Sequence, residues 1–254
     1  MTHGLPKEMF PIKGKPMISY AIQEAAFCGL EEIYIVINER KDTLRRYIES
    51  EDLSRALLSE KQGQAISLPL LIFVDQPSPA GTGEAIYRTR ALIGGEPFAL
   101  MMPDFVFFGH TPALAQMVPL YERSGCDIVG LLPLRGKDAQ GFGNVGIVQG
   151  QGEEQGIVAV QALSDKIPGS LILGEDERIL KAAPRWIIGP HVFSYLERTK
   201  GEGEWDDTPA LQLLCAEREV QGKILEGRGF DVGNPEGYAA AQAFAAELDA
   251  RGKR

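Results

Sequence analysis

The feature that most constrains this chain is a set of short apolar runs alternating with segments of helical period through its first half. Ile33–Ile37, Leu70–Val74, Phe98–Met102 and Cys126–Leu132 are short and rich in β-forming residues, as buried strands are. Between them, Met17 to Gly29 carries Ile18, Ile22, Ala25 and Ala26 at helical spacing, with Gly29 as a natural stop. Thr82 to Leu92 is helix-like, and Thr111-Pro112 reads as an N-cap followed by a first-turn proline. This rhythm predicts a parallel, doubly wound sheet with helices on both faces. Ligands in such folds sit outside the carboxyl ends of the strands, which directs attention to Gln76 and Asp104.

The second half is less regular. Gly141–Val148 reads as a glycine-hinged strand, Gln151–Gln155 as a turn, and Arg185–Ile188 as a strand. Helix patterns follow over His191–Arg198 and Asp207–Arg218. Asn234-Pro235-Glu236 supplies a cap, a first-turn proline and a first-turn acid to an alanine-rich helix reaching about Ala250. With no repeat, low-complexity run or long linker, residues 1–254 are expected to form one domain.

Composition narrows the partners. A net charge of −9 argues against nucleic acid, whose non-specific binding depends on a basic surface. No stretch approaches the roughly 18 apolar residues of a membrane helix, and the N-terminus lacks a signal peptide's apolar core. Cys28, Cys126 and Cys215 are far apart and form no metal or disulfide pattern, which fits a cytoplasmic location. The three histidines, His3, His110 and His191, are scattered and read as structural or solvated.

Four local patterns bear on chemistry. Lys7, in Leu5-Pro6-Lys7-Glu8-Met9, lies in a proline-stiffened loop where it could bind phosphate or be one more surface lysine. Gln76-Pro77-Ser78-Pro79-Ala80-Gly81-Thr82-Gly83 joins a strand to a helix. Gln76 has the amide to read a base edge, and the glycines allow close approach, although a plain turn would look the same. Asp104 ends an apolar strand, and Asp231 precedes the last helix. Two carboxylates suit Mg2+, which takes one or two of them with phosphate oxygens and water; a turn cap and a loop residue are the plainer alternatives.

Taken in order, these segments resemble the bacterial UTP–glucose-1-phosphate uridylyltransferases within the sugar-1-phosphate nucleotidyltransferase family. The resemblance runs through LPKEMFPIKGKPMISYAIQEAAFCGLEEIYIV, QPSPAGTGEAI, PFALMMPDFVF, FGNVGIV, APRWIIGPHVFSYLE, GEGEWDDTPALQLL and GFDVGNPEGYAAAQAF. It covers most of the chain collinearly. PKEM and the closing D-x-G-x-x-x-G-Y are its most specific parts, whereas QPSPAG is also similar to the glucose-1-phosphate thymidylyltransferases.

The resemblance implies a Rossmann-like α/β fold of the nucleotide-diphospho-sugar transferase type, a mixed, mainly parallel sheet flanked by helices. Residues from about 140 onward would form its sugar side. The expected reaction is attack by a glucose-1-phosphate oxygen on the α-phosphorus of UTP, giving UDP-glucose and pyrophosphate. Lys7 would contact the transferring phosphoryl group, Gln76 and Gly81 the base, Gly143 the sugar, and Asp104 and Asp231 would bind Mg2+. The family's sugar-phosphate motif E-K-P is nearest to Ser164-Asp165-Lys166-Ile167-Pro168, which carries Asp165 and Lys166 over despite a changed acid and an inserted isoleucine. Gly203 to Leu214 resembles a region near subunit contacts, so a homo-oligomer is expected.

The family begins with an apolar strand and a G-x-G-T-R loop, and only Met1-Thr2-His3-Gly4 precedes Leu5 here. The fold is therefore expected to lack the usual first strand, and a non-catalytic nucleotide-sugar-binding or regulatory role stands as the alternative function. That strand would lie between Ile33–Ile37 and Phe98–Met102. Neighbouring strands sit about 4.8 Å apart, so its absence predicts either two strands held about 10 Å apart or two that close and pair.

Overall fold

The computed structural model describes residues 6–38, 41–50, 53, 68–139 and 141–252. The chain opens with a small hairpin, β1 (Pro11–Ile12) and β2 (Lys15–Pro16), followed by α1 (Met17–Phe27). The helix stops where expected: Gly29 takes a positive φ of 72° and its N–H bonds the Ala26 carbonyl. Next come β3 (Glu32–Ile37), α2 (Asp42–Ile48) and β4 (Leu70–Asp75). Strands β3 and β4 pair in parallel from Glu32↔Leu70 to Ile37↔Asp75. Their apolar face packs with Ile18, Ile22, Leu44 and Ile48 in a core of its own.

Beyond β4 the chain forms α3 (Thr82–Arg88), α4 (Arg90–Ile93), β5 (Phe98–Met101), β6 (Phe105–Phe108), α5 (Ala113–Ser124) and β7 (Asp127–Arg135). Short strands β8 (Gly143–Asn144) and β11 (Ile167–Ser170) flank the hairpin of β9 (Val148–Glu154) and β10 (Ile157–Leu163). The remaining elements are β12 (Arg178–Ile188), α6 (Val192–Arg198), α7 (Thr208–Glu217), β13 (Val220–Ile224), β14 (Arg228–Asp231) and α8 (Pro235–Gly252). Several boundaries differ from the sequence reading: β12 begins at Arg178, ahead of Arg185, and the strand expected over Gly141–Val148 is divided between β8 and the start of β9. Pro112 itself occupies the cap of α5, and β9 runs through Gln151 so that the turn falls at Gln155 and Gly156, both with positive φ.

The central sheet has the order β5-β12-β7-β13-β10-β9. β13 is parallel to β7, while β12 runs against both β5 and β7. Tracing the ladders, β5, β7, β13 and β9 point one way and β12 and β10 the other, which makes the sheet mixed. Side chains of β7 alternate between two cores, as the two-residue period of a strand requires. Val129 and Leu131 join Leu196 of α6 and Leu214 of α7, whereas Ile128 and Leu132 join Leu114, Met117 and Leu120 of α5. Helices therefore cover both faces.

No hydrogen-bonded ladder joins β3 to β5 among the described residues; β3 pairs with β4, and β5 with β12. Of the two outcomes expected for that place in the fold, direct pairing of the two strands is not found among the described residues. A separate two-stranded ladder, β6 with β14, brings Phe105 opposite Asp231. Among the described residues no helix is long and apolar enough to cross a membrane.

Leu131 is fully buried on β7, and its Cδ1 fills the place where a Cβ on neighbouring Gly222 would stand. With no side chain on Gly222 to relax into the hole, Leu131→Ala should cost about 4–5 kcal/mol, the upper part of the usual range. Thermal unfolding followed by circular dichroism should show a midpoint lower by roughly 10 °C or more.

Candidate functional site

The centre of the site is assembled from the two ends of the chain. Lys7 lies in a single 3-10 turn, Lys7–Met9, whose entry is stiffened by Pro6. Its ammonium reaches Asp104, in the tight turn between β5 and β6, at 2.5 Å from Oδ2. Asp231 ends β14, directly opposite Phe105, so the β6–β14 ladder sets two carboxylates from distant parts of the sequence side by side. The Val232 N–H donates to the Asp104 carbonyl at 2.8 Å, and the Gly233 N–H to Asp231 Oδ1 at 3.1 Å. A Cβ on Gly233 would stand 2.8 Å from Asp104 Oδ2 and 3.2 Å from Asp231 Oδ1, so the glycine leaves open the space between the two acids.

The electrostatics follow from this crowding. Burial and the neighbouring Asp104 charge push the Asp231 carboxyl above its ordinary range, against the pull of the Gly233 N–H, Lys181 and Lys7. Burial alone would lower the Lys7 ammonium, but the charge and hydrogen bond of Asp104, with Glu8 and Asp231, hold it above its ordinary value. Lys181 was not singled out from the sequence. It sits on β12, is almost fully buried, and donates to the carbonyls of Gly143, at 3.0 Å, and Val145. Burial lowers it to about 8, with Asp231 acting in the opposite sense. Its signal in the sequence is a lone charge in the apolar run Ile179-Leu180-Lys181-Ala182-Ala183. Gly143 thus joins Lys7, Asp104 and Asp231 in one group.

A second group gathers around the strand-to-helix turn. Gln76 Nε2 donates to the Gly81 carbonyl at 3.2 Å and to Glu84 Oε2 at 2.6 Å. Gly81 takes a φ of 120°, and a Cβ there would lie 2.3 Å from the Trp205 carbonyl oxygen, so only glycine fits. The Trp205–Asp207 segment closes over this turn: Trp205 N–H donates to the Ala80 carbonyl at 2.7 Å, and Thr82 Oγ1 to Asp207 Oδ1 at 2.6 Å. Lys166 joins this group, donating to Asp206 Oδ2 at 3.0 Å, while Asp165 accepts from Gln212 at 2.9 Å. The hydrogen-bonded backbone and cationic partners of Asp206 hold its carboxyl well below the usual range despite burial, and burial beside it raises Asp207. The residues predicted for the sugar phosphate lie on neighbouring segments, since the β8–β11 ladder sets Ile167 opposite Asn144, but their side chains differ in partners: Lys166 and Asp165 bond Asp206 and Gln212, while the Gly143 carbonyl accepts from Lys181.

Chemically, the first group offers hard anionic oxygens and two ammonium groups around an open space. Asp104 and Asp231 offer carboxylate oxygens of the kind a divalent cation such as Mg2+ takes, and Gly233 places no side chain against either. The histidines stand aside: His191 Nε2 lies 2.7 Å from Asp127 Oδ2 at the entry to α6, a contact that ties a helix to the start of β7. His3 lies outside the described residues.

The fold and this layout define the chain as a nucleotidyl transferase: the sequence pattern of that family matches residues 1–247, and the chain belongs to it. It is 30% identical to a UTP–glucose-1-phosphate uridylyltransferase of Staphylococcus saprophyticus, over 93% of this chain and 84% of the other. A protein of the same name from Staphylococcus epidermidis is 29% identical, over 93% and 83% of the two chains. The crystal structure of a UDP-glucose pyrophosphorylase complexed with UDP-glucose superposes with a TM-score of 0.78 at 28% identity, covering 96% of this chain and 91% of that one.

The buried ammonium of Lys181 has a measurable signature. Its folded value of about 8 lies below the ordinary 10.5, so between those values the unfolded chain binds more protons than the folded one. Stability from this group is lowest below pH 8 and rises as pH climbs to 10.5, by about 3 kcal/mol in all. Urea unfolding of the wild type and of Lys181→Met across that interval should show the wild type gaining stability relative to the variant as pH rises.

Proposed function

We propose that this chain joins UTP and glucose-1-phosphate to give UDP-glucose and pyrophosphate. The observation that carries the reading is the convergence of Lys7, Asp104 and Asp231 from the two ends and the middle of the sequence onto one open space. The names of the relatives favour uridine over thymidine. Gln76 and Gly81 would hold the base, with Gly81 keeping the Trp205 backbone close over the turn. Gly143 would lie beneath the sugar, and Asp165 and Lys166 would complete the sugar-phosphate side. Asp104 and Asp231 would hold Mg2+, which neutralises charge on phosphate oxygens.

The glucose-1-phosphate oxygen is ionised near neutral pH, so the reaction needs no strong general base. It needs in-line placement of that oxygen and stabilisation of charge on the transferring phosphoryl group. Lys7 is placed for the second task, and Lys181, buried beside Asp231, brings a second cation whose charge a bound phosphate would favour. We place the reaction in the cytoplasm, in keeping with the free thiols Cys28, Cys126 and Cys215. A homo-oligomer remains our expectation, although Trp205, Ala210, Leu211 and Leu214 of the segment resembling a subunit contact are buried within this chain.

Pyrophosphate release from UTP and glucose-1-phosphate should be measured with Mg2+ for this chain, and for an N-terminally extended version from the same gene. Turnover is expected, and Lys7→Ala and Asp104→Asn should each lower kcat/KM by about 100- to 1000-fold. Calorimetry with UDP-glucose separates the alternative: binding without turnover by either folded version would replace the transferase with a nucleotide-sugar-binding module.

A further inference from the structure

Arg185 is completely buried, at 0% exposure, and it lies on β12 beside the turn that carries Asp104. Every nitrogen of its guanidinium is used. Nε donates to Glu24 Oε2 at 3.0 Å, and Nη1 to the Met102 carbonyl at 2.9 Å and the Pro184 carbonyl at 3.0 Å. Nη2 donates to the Phe105 carbonyl at 3.1 Å. Met102 and Phe105 bracket Pro103-Asp104, so the guanidinium grips the turn on both sides of the acid. The counterion Glu24 is fixed in turn, since its Oε1 accepts the Leu114 N–H at 2.7 Å in the first turn of α5.

Burying an ion pair is a poor route to stability, because desolvation of both ions offsets their attraction. Arg185 also interrupts the apolar stretch that ends in Trp186-Ile187-Ile188, where an aliphatic residue would satisfy a core. What an aliphatic residue cannot do is satisfy the carbonyls of Met102 and Phe105, which flank a turn outside the β5–β12 ladder. A lysine could not do so either, since a single ammonium lacks the planar fork that spans separate acceptors. We propose that Arg185, held by Glu24, is a positioning residue that fixes the Met102–Phe105 turn and so sets Asp104 against Lys7 and Asp231. This rests on the reading of Asp104 as a phosphate- and metal-handling acid. Val232 holds the same turn from the opposite side through the Asp104 carbonyl, so Arg185 closes a two-sided grip.

The test uses Arg185→Lys and the paired change Arg185→Met with Glu24→Gln, which removes both charges so that neither is left buried alone. A core variant in the opposite layer, Leu214→Ala, controls for lost stability. Three readouts are taken: hydrogen exchange of the 102–105 turn by mass spectrometry, Mn2+ binding by electron paramagnetic resonance without substrates, and kcat and KM for UTP. The paired variant should fold, exchange the turn about tenfold faster, bind Mn2+ about 10- to 100-fold more weakly and lose kcat by a similar factor, with Arg185→Lys between it and wild type. Leu214→Ala should leave turn exchange and Mn2+ affinity near wild type. Unchanged turn exchange in the folded paired variant overturns the clamp, as does faster exchange with unchanged Mn2+ affinity and kcat. Should wild type itself neither bind Mn2+ nor turn over, the reading of Asp104 fails, and the proposal falls with it for that separate and recognisable reason.

Discussion

The insertion of β12 antiparallel between β5 and β7 is the constraint on which the rest of this structure depends. A single 11-residue strand forms ladders with both neighbours, joining the edge strand β5 to the four strands β7, β13, β10 and β9. It also delivers Lys181 to the carbonyls of Gly143 and Val145, and Arg185 to the carbonyls around Asp104. Shifting its register by one residue would turn both cations to the other face of the sheet and move Trp186 and Ile188 out of their core. Structural integrity and the placement of the polar groups are thus enforced by the same backbone hydrogen bonds.

Around this spine the site is economical in the groups it uses. Each charged side chain has a partner that also fixes its position: Asp104 for Lys7, Asp206 for Lys166, Glu24 for Arg185. Between Asp104 and Asp231, Gly233 contributes no side chain of its own. An arrangement of fixed charges around an open space suits a reaction governed by position and charge more than by proton transfer.

The first half of the fold was legible because its strands and helices announce themselves through local pattern. Ile33–Ile37 and Leu70–Val74 lie within real strands that pair in parallel, and Asn234 caps the last helix through its side chain, accepting the Gly237 N–H at 2.9 Å. The carboxylates were legible as residues but not as neighbours. Their meeting depends on the β6–β14 ladder, a long-range antiparallel pairing that local periodicity does not encode. Strand direction is equally silent in a short apolar run, which is why the reversal of β12 and the bridging role of Arg185 were missed. Two lysines of the second half differ in how they can be found: Lys166, read from a motif, ends on Asp206, whereas Lys181, near Asp231, shows itself only through its burial.

The meeting of early and late segments has a consequence for how the molecule is made. Ile12 and Met17 share a core with Phe230, Ala241 and Ala245, and the Pro11 carbonyl accepts bonds from Tyr238 and Gln242. During synthesis Ile12 and Met17 can meet Tyr20 and then Val106 of β6, but their core is completed only when α8 leaves the ribosome more than 200 residues later. At ordinary translation rates of about 5–20 residues per second, the wait is roughly 10–50 s. The β3–β4 unit can bury its own face against α1 and α2 much sooner, so the hairpin is tethered beside a partly folded body while its own core is still incomplete. The packing of the early hairpin thus waits on α8 for its completion.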